Sequence, residues 1–151
     1  NMPKCMGTLY WQIDDCWPVA SWSSIDYYGN WKALHYYIKK LYEPIIIAPQ
    51  ERKDNICFDI ISDKLIETAL DLSIKVLDFS GREVYSKKIP VKVEANSSKC
   101  YIVISKNELI NNQDEKQLVV VSQLLNDSEI VAENKFFFTK EAGKQSKSLP
   151  K

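Results

Sequence analysis

The sequence holds only four glycines and one histidine in 151 residues, and its charges cancel, with 20 basic against 20 acidic side chains. Each scarcity removes a class of function. Phosphate-cradling loops need glycine because the backbone must approach the anion closely, and none of the four glycines sits in a nucleotide motif. Balanced charge leaves no electrostatic footprint for nucleic acid or for an anionic membrane, so neither is expected as a partner. No apolar run approaches the roughly 20 residues that span a bilayer, and no signal peptide opens the chain, whose Asn1 reads as a position in mid-sequence. The four cysteines form no CxxC pair and His35 cannot complete a zinc site with them at any familiar spacing, so no metal and no cofactor are expected. Cys5 and Cys16 bracket an extended stretch, which at about 3.3 Å per residue holds them far beyond the ~7 Å limit for bridging. Cys57 with Cys100 is the one pairing left open, and free buried cysteines are the default.

With 45% hydrophobic and 26% charged residues, the chain has material for one ordinary globular domain plus an appendage. Residues 8–13 read as a fully buried strand, since Leu9, Trp11 and Ile13 load one face while Tyr10 and Gln12 load the other. A loop broken by Trp17-Pro18 follows. Gly29-Asn30 then opens a helix whose Trp31, Leu34, Ile38 and Leu41 recur at three and four residues and which ends before Pro44. From Pro44 the period switches to two. Strands are expected at 45–48, 56–61, 70–79, 83–93, 100–105, 118–125 and 130–139, with Ser80-Gly81 in a tight hairpin and at most one helical turn near Glu108-Leu109. Seven short strands with regular turns predict a mainly β chain, an immunoglobulin-like β-sandwich over residues 44–140. One strand-loop-helix unit precedes it at 1–43, and a polar, lysine-bearing tail follows at 141–151.

All four tryptophans fall between Gly7 and Tyr36, interleaved with Tyr10, Tyr27, Tyr28, Asp14 and Asp15. Such density suits a surface that stacks something flat, a sugar ring or a base, and it suits a buried aromatic core equally well. Trp31, on the helix stripe, is expected in a core. Asp14 and Asp15 are neighbours, so on an extended strand they point to opposite faces and cannot cooperate as an acid and nucleophile; capping or ion pairing is the expected role. His35 has no acidic or serine partner placed near it by sequence and is expected to be structural.

The words of this stretch carry more than its composition. WQ, CWP, SWSSID, YG and WKALHY, in this order and spacing over residues 3–44, closely resemble the last strand-loop-helix unit of the catalytic (β/α)8 barrel in glycoside hydrolase family 2 β-mannosidases. A weaker resemblance, to the immunoglobulin-like domain that ends those enzymes, closes on ENKFFFTKE at 133–141. The resemblance implies that the chain is the C-terminal fragment of a larger retaining hydrolase that releases terminal β-D-mannose from β-mannosides. A barrel takes roughly 250 residues, so one unit cannot bury its own faces. Both catalytic glutamates of that family lie on earlier strands, hence no catalytic residue is expected here and the fragment alone should be inactive.

By the same resemblance, Trp11 is the platform beneath the sugar at the cleaved position, and Trp17 and Trp22 shape the leaving-group side. Asp14 departs from the family's usual Asn, exchanging a neutral donor-acceptor for an acceptor. The implied partners are a β-mannoside oligosaccharide and the rest of the barrel, with a homo-oligomer left open. Leu9, Trp11, Ile13 and Leu34 lack barrel neighbours, so the segment is expected to pair with a second copy or to fold back on the sandwich. A periplasmic or secreted location is the expectation, with lysosomal and cytoplasmic left open. Two rivals remain: a stand-alone carbohydrate-binding sandwich, and a structural interaction domain.

Overall fold

In a computed structural model, described here for residues 4–5 and 7–138, the chain forms helix α1 (Ala33–Leu41) and then strands β1 (Ile45–Arg52), β2 (Asn55–Ser62), β3 (Thr68–Asp78), β4 (Glu83–Val93) and β5 (Ser97–Ser105). Helix α2 (Lys106–Ile110), a 3-10 turn (Glu115–Gln117), β6 (Leu118–Asn126) and β7 (Glu129–Phe136) complete it. The seven strands make two antiparallel sheets, ordered β1-β2-β5 and β4-β3-β6-β7, which is the layered arrangement expected of an immunoglobulin-like sandwich. The tail 141–151 and the expected strand end at Thr139 lie outside the described residues.

Alternation builds the interior. Ile45 and Ile47, Ile56, Phe58 and Ile60, then Leu70, Leu72, Ile74 and Val76, and Leu118, Val120 and Leu124 are all buried, each set at every second position of its strand. Facing one another between the sheets, such side chains contribute roughly 1.5–3 kcal/mol apiece by leaving water. The sheets are also tied by polar contact: Asn134 Nδ2 on β7 donates to Ile47 O on β1 at 2.8 Å.

The turns follow from local chemistry. Asp78 accepts from Ser80 N (2.9 Å), Ser80 Oγ (2.6 Å) and Arg82 N (3.0 Å), and Gly81 at φ 88° supplies the left-handed step that closes the β3–β4 hairpin. Ser105 caps α2 by accepting from Glu108 N at 3.1 Å, and Leu109 drops into the core. Two outermost strands each carry a proline, Pro49 in β1 and Pro90 in β4.

Residues 4–43 depart from expectation in several ways. No strand forms at 8–13; among the described residues the ladder-like contacts nearby are isolated bridges, Asp14 with Ile25 and Ile25 with Trp31. Strands need a ladder of hydrogen-bonded neighbours, and the backbone of this stretch is bonded to residues 24–25 only at its end, through Gln12 O and Ile13 O. The helix starts at Ala33, because residues 26–30 are committed to a turn in which Asp26 accepts from Tyr28 N and Asn30 N. Trp31 is 47% exposed instead of buried, touching His35 and Tyr36. Cys5 and Cys16 are free but exposed, while Cys57 is bonded to Cys100, the pairing the sequence left open. The expected folding back on the sandwich finds no support in polar contacts. Among the described residues, its hydrogen bonds and ion pair stay within residues 4–43.

Candidate functional site

The indoles of Trp11, Trp17 and Trp22 all hang on a knot of chain whose inside is polar. Asp15, 6% exposed, is its centre. Its Oδ1 accepts from Ser21 Oγ at 2.5 Å and from Gln12 Nε2 at 3.4 Å, and its Oδ2 accepts from Ser23 Oγ at 2.7 Å and from Lys32 Nζ at 2.9 Å. Lys32, just ahead of α1, also reaches Ser23 Oγ at 2.6 Å and Ser21 O at 3.4 Å. The Ser21 hydroxyl above all, then Lys32 and Ser23, hold the Asp15 carboxyl down to about 2. It is therefore ionised at any ordinary pH and serves as a clamp, the ion-pairing role expected of it.

Clamping has a geometric consequence. Ser21 and Ser23 both turn inward to Asp15, so Trp22 between them is thrown outward and is 75% exposed. Trp17 rides on the loop that Asp15 and Ser21 close, 62% exposed. A second set of bonds fixes the stretch after Trp11: Ser24 N and Ile25 N donate to Ile13 O at 3.1 and 2.8 Å, while Ser24 Oγ lies 3.0 Å from Ile13 O, 3.0 Å from His35 Nδ1 and 3.1 Å from Tyr10 OH. Trp11, whose peptide to Gln12 is cis, is 77% exposed. His35 therefore does have a serine partner, Ser24, which the sequence did not place near it, and its ring lies tilted by 52° against Trp31 with ring centres 4.4 Å apart.

The arrangement can present flat apolar faces, and the aspartates of the segment are each held apart from one another. Asp14 is exposed, Asp15 is bound up in its clamp, and Asp26 is committed to its own turn. The sandwich offers a cavity of about 400 Å3 lined by Leu70, Asp71, Pro90, Val91, Asn126 and Asp127, with no aromatic ring among its lining residues on which a sugar could stack. Lys32 and the two serines were not legible beforehand as anchors. The one usable signal was the Ser-Trp-Ser alternation, which puts both hydroxyls on the side opposite the indole.

Comparison with known proteins adds what geometry alone does not. The family model described as "Mannosidase Ig/CBM-like domain" matches residues 55–140, more than half of the chain. The chain belongs to that family. This mannosidase-type domain is similar to the β-mannosidase of Capra hircus, 34% identical over 95 residues that cover 62% of this chain and 11% of that protein. It is similar too to β-mannosidase A of Aspergillus oryzae, 33% identical over 129 residues, 80% of this chain and 14% of that one. The chain therefore spans only a small part of the curated relatives it matches. Among solved structures, the β-D-mannosidase from Dictyoglomus thermophilum superposes with a TM-score of 0.75 at 27% identity over 85% of this chain and 16% of that one. An exo-chitosanase from Amycolatopsis orientalis, TM-score 0.64 at 20% identity over 87% of this chain and 15% of that one, shares the fold.

Proposed function

We propose that this chain is the C-terminal part of a retaining family 2 β-mannosidase, contributing the last strand-loop-helix unit of the catalytic barrel together with the accessory sandwich. The observation that carries this reading is the extent of the likeness to the Dictyoglomus thermophilum enzyme. Its 85% coverage exceeds what residues 45–151 can supply, so the likeness runs through both the sandwich and the aromatic segment in one order. The parent removes terminal β-D-mannose, using two carboxylic acids about 5 Å apart supplied by preceding strands. Trp11 lies beneath the pyranose at the cleaved position, its indole facing the C–H-rich side of the ring, and Trp17 and Trp22 flank the leaving group.

An aryl β-mannoside assay on the 151-residue chain is expected to give no turnover above buffer. In an enzyme carrying this sequence behind its own barrel, Trp11→Ala is expected to cut kcat/KM by about two orders of magnitude, since a desolvated aromatic platform is worth on the order of 3 kcal/mol. An effect below about threefold would return Trp11 to the scaffold. The three exposed indoles favour one other reading, a non-catalytic carbohydrate-binding domain. Measurable mannoside binding by the isolated chain would select it.

A further inference from the structure

We propose that Cys57, Asp59 and Cys100 form a redox-gated site for a thiophilic divalent cation of the zinc class, open when the Cys57–Cys100 bridge is reduced. The pairing register of β2 with β5 shifts between Phe58 and Asp59, so that Asp59 stands opposite Cys100 while Cys57 stands opposite Val103. Ile56, Phe58 and Ile60 point into the core, which leaves Cys57 and Asp59 together on the outer face of the sheet, and Cys100 joins them there. One ligand atom from each lies within 4.8 Å of the other two.

The carboxylate is the informative member. Asp59, only 7% exposed, spends Oδ2 on Arg52 at 2.7 Å, and its Oδ1 lies 3.2 Å from Cys57 Sγ. In the bridged form that sulfur carries no hydrogen, so among the described residues this buried oxygen faces an atom that cannot donate to it. Buried acceptors left without a donor or cation are costly. A thiol or a metal ion between the sulfurs would satisfy it. Opening the bridge takes two electrons and two protons from a dithiol reductant, which closes to its own disulfide. The cation then displaces the two thiol protons, and Oδ1 supplies the third bond.

Chemistry and charge select the ion. Two thiolates and one carboxylate suit zinc over calcium or magnesium, which demand oxygen. Their three negative charges are balanced by a divalent ion plus the Arg52 guanidinium. Zinc–sulfur bonds of about 2.3 Å in a tetrahedron need the sulfurs roughly 3.8 Å apart, so they must draw apart from their bonded positions once the bridge is reduced. Cys100 is exposed, so water reaches the fourth position. No sequence motif announces the site, because its ligands come from two strands 43 residues apart.

The test uses the full chain with Cys5→Ser and Cys16→Ser, which removes the two other thiols. Reduced with a phosphine, which ends as its oxide with oxygen taken from water, the protein is titrated with Co2+. One equivalent should produce thiolate-to-cobalt absorption that Zn2+ bleaches, and the bridged protein should produce none. Cys100→Ser should abolish the band, and Asp59→Asn should weaken binding at least tenfold. Absence of the band in the reduced protein, or undiminished affinity in Asp59→Asn, overturns the proposal. Should Asp59→Asn fail to fold, X-ray absorption of the zinc-loaded chain still decides: two sulfurs with oxygen in the first shell support the site, and any other sulfur count overturns it.

Discussion

Residues 45–138 and residues 4–43 are built to opposite rules. The sandwich turns Phe58, Leu72 and Val120 inward and fills its interior mainly with apolar side chains, a buried hydroxyl such as that of Ser122 being bonded to backbone. The aromatic segment turns Asp15, Ser23 and Ser24 inward and leaves Leu9, Trp11 and Trp22 outward. A region of the first kind carries its own driving force for folding, whereas one of the second kind holds its shape through directional bonds and keeps its apolar area for something else. Exposed apolar surface on this scale is unusual in a self-sufficient unit, which is the physical counterpart of the small share of its relatives that the chain spans.

The contrast can be broken in several ways. Phe58→Ala, which empties a fully buried position, should cost about 3–5 kcal/mol in a denaturant titration. Trp22→Ala should stay within about 0.5 kcal/mol by the same measurement; equal losses would mean that the segment shares the sandwich core. Next in size, Gly81→Ala should cost roughly 1 kcal/mol, because the position sits at φ 88° with open space around it, so that backbone strain is the whole effect. Gly29→Ala carries the same strain at φ 85° within the segment and should leave the melting temperature of the sandwich unmoved.

Acid gives a finer separation. The Asp15 carboxyl is held at about 2 against an ordinary 3.8, so its clamp contributes fully above about pH 4 and is lost as the pH falls through about 2. All four tryptophans lie in the segment, so their fluorescence reports on it alone. The emission should hold from neutral pH to about 4 and shift only near 2, and Asp15→Asn should show the shifted spectrum throughout. A midpoint near 4 would mean that the serines and Lys32 do not grip the carboxylate. The largest change in sequence should have the smallest effect: deleting residues 1–43 should leave one cooperative thermal transition. A disordered remainder would erase the distinction between the two regions.

How far the sequence foretold the molecule follows the same division. All seven strands of the sandwich were legible, because each buries one face against its own chain and period two is the direct imprint of that burial. The ends missed by most were those of β1, which runs on through Pro49 to Arg52 instead of stopping at Ala48, of β5, which begins at Ser97 instead of Cys100, and of β7, which stops at Phe136. Ala95 and Asn96, the latter at φ 45°, make the turn before β5, and Ser97 and Ser98 already pair with Ser62 and Ile61. The strand expected at 8–13 failed for the opposite reason: Leu9, Trp11 and Ile13 carry the apolar pattern of a buried strand yet are all exposed, so no burial against their own chain enforces it. Trp31 misled in the same manner. At the aromatic site the indoles were legible as letters, whereas the Asp15 clamp was not, since Lys32 joins it from 17 residues away.

Pro49 and Pro90 place a residue without an amide hydrogen in two of the strands that border the sheets. Such a residue interrupts the row of donors that another chain would need in order to add a strand there. The sandwich is therefore guarded against growing sideways into a continuous sheet at those borders. Self-association of this molecule, where it occurs, should be greasy and reversible by mild detergent instead of fibrillar, with indole faces at the contact and little gain in β signal.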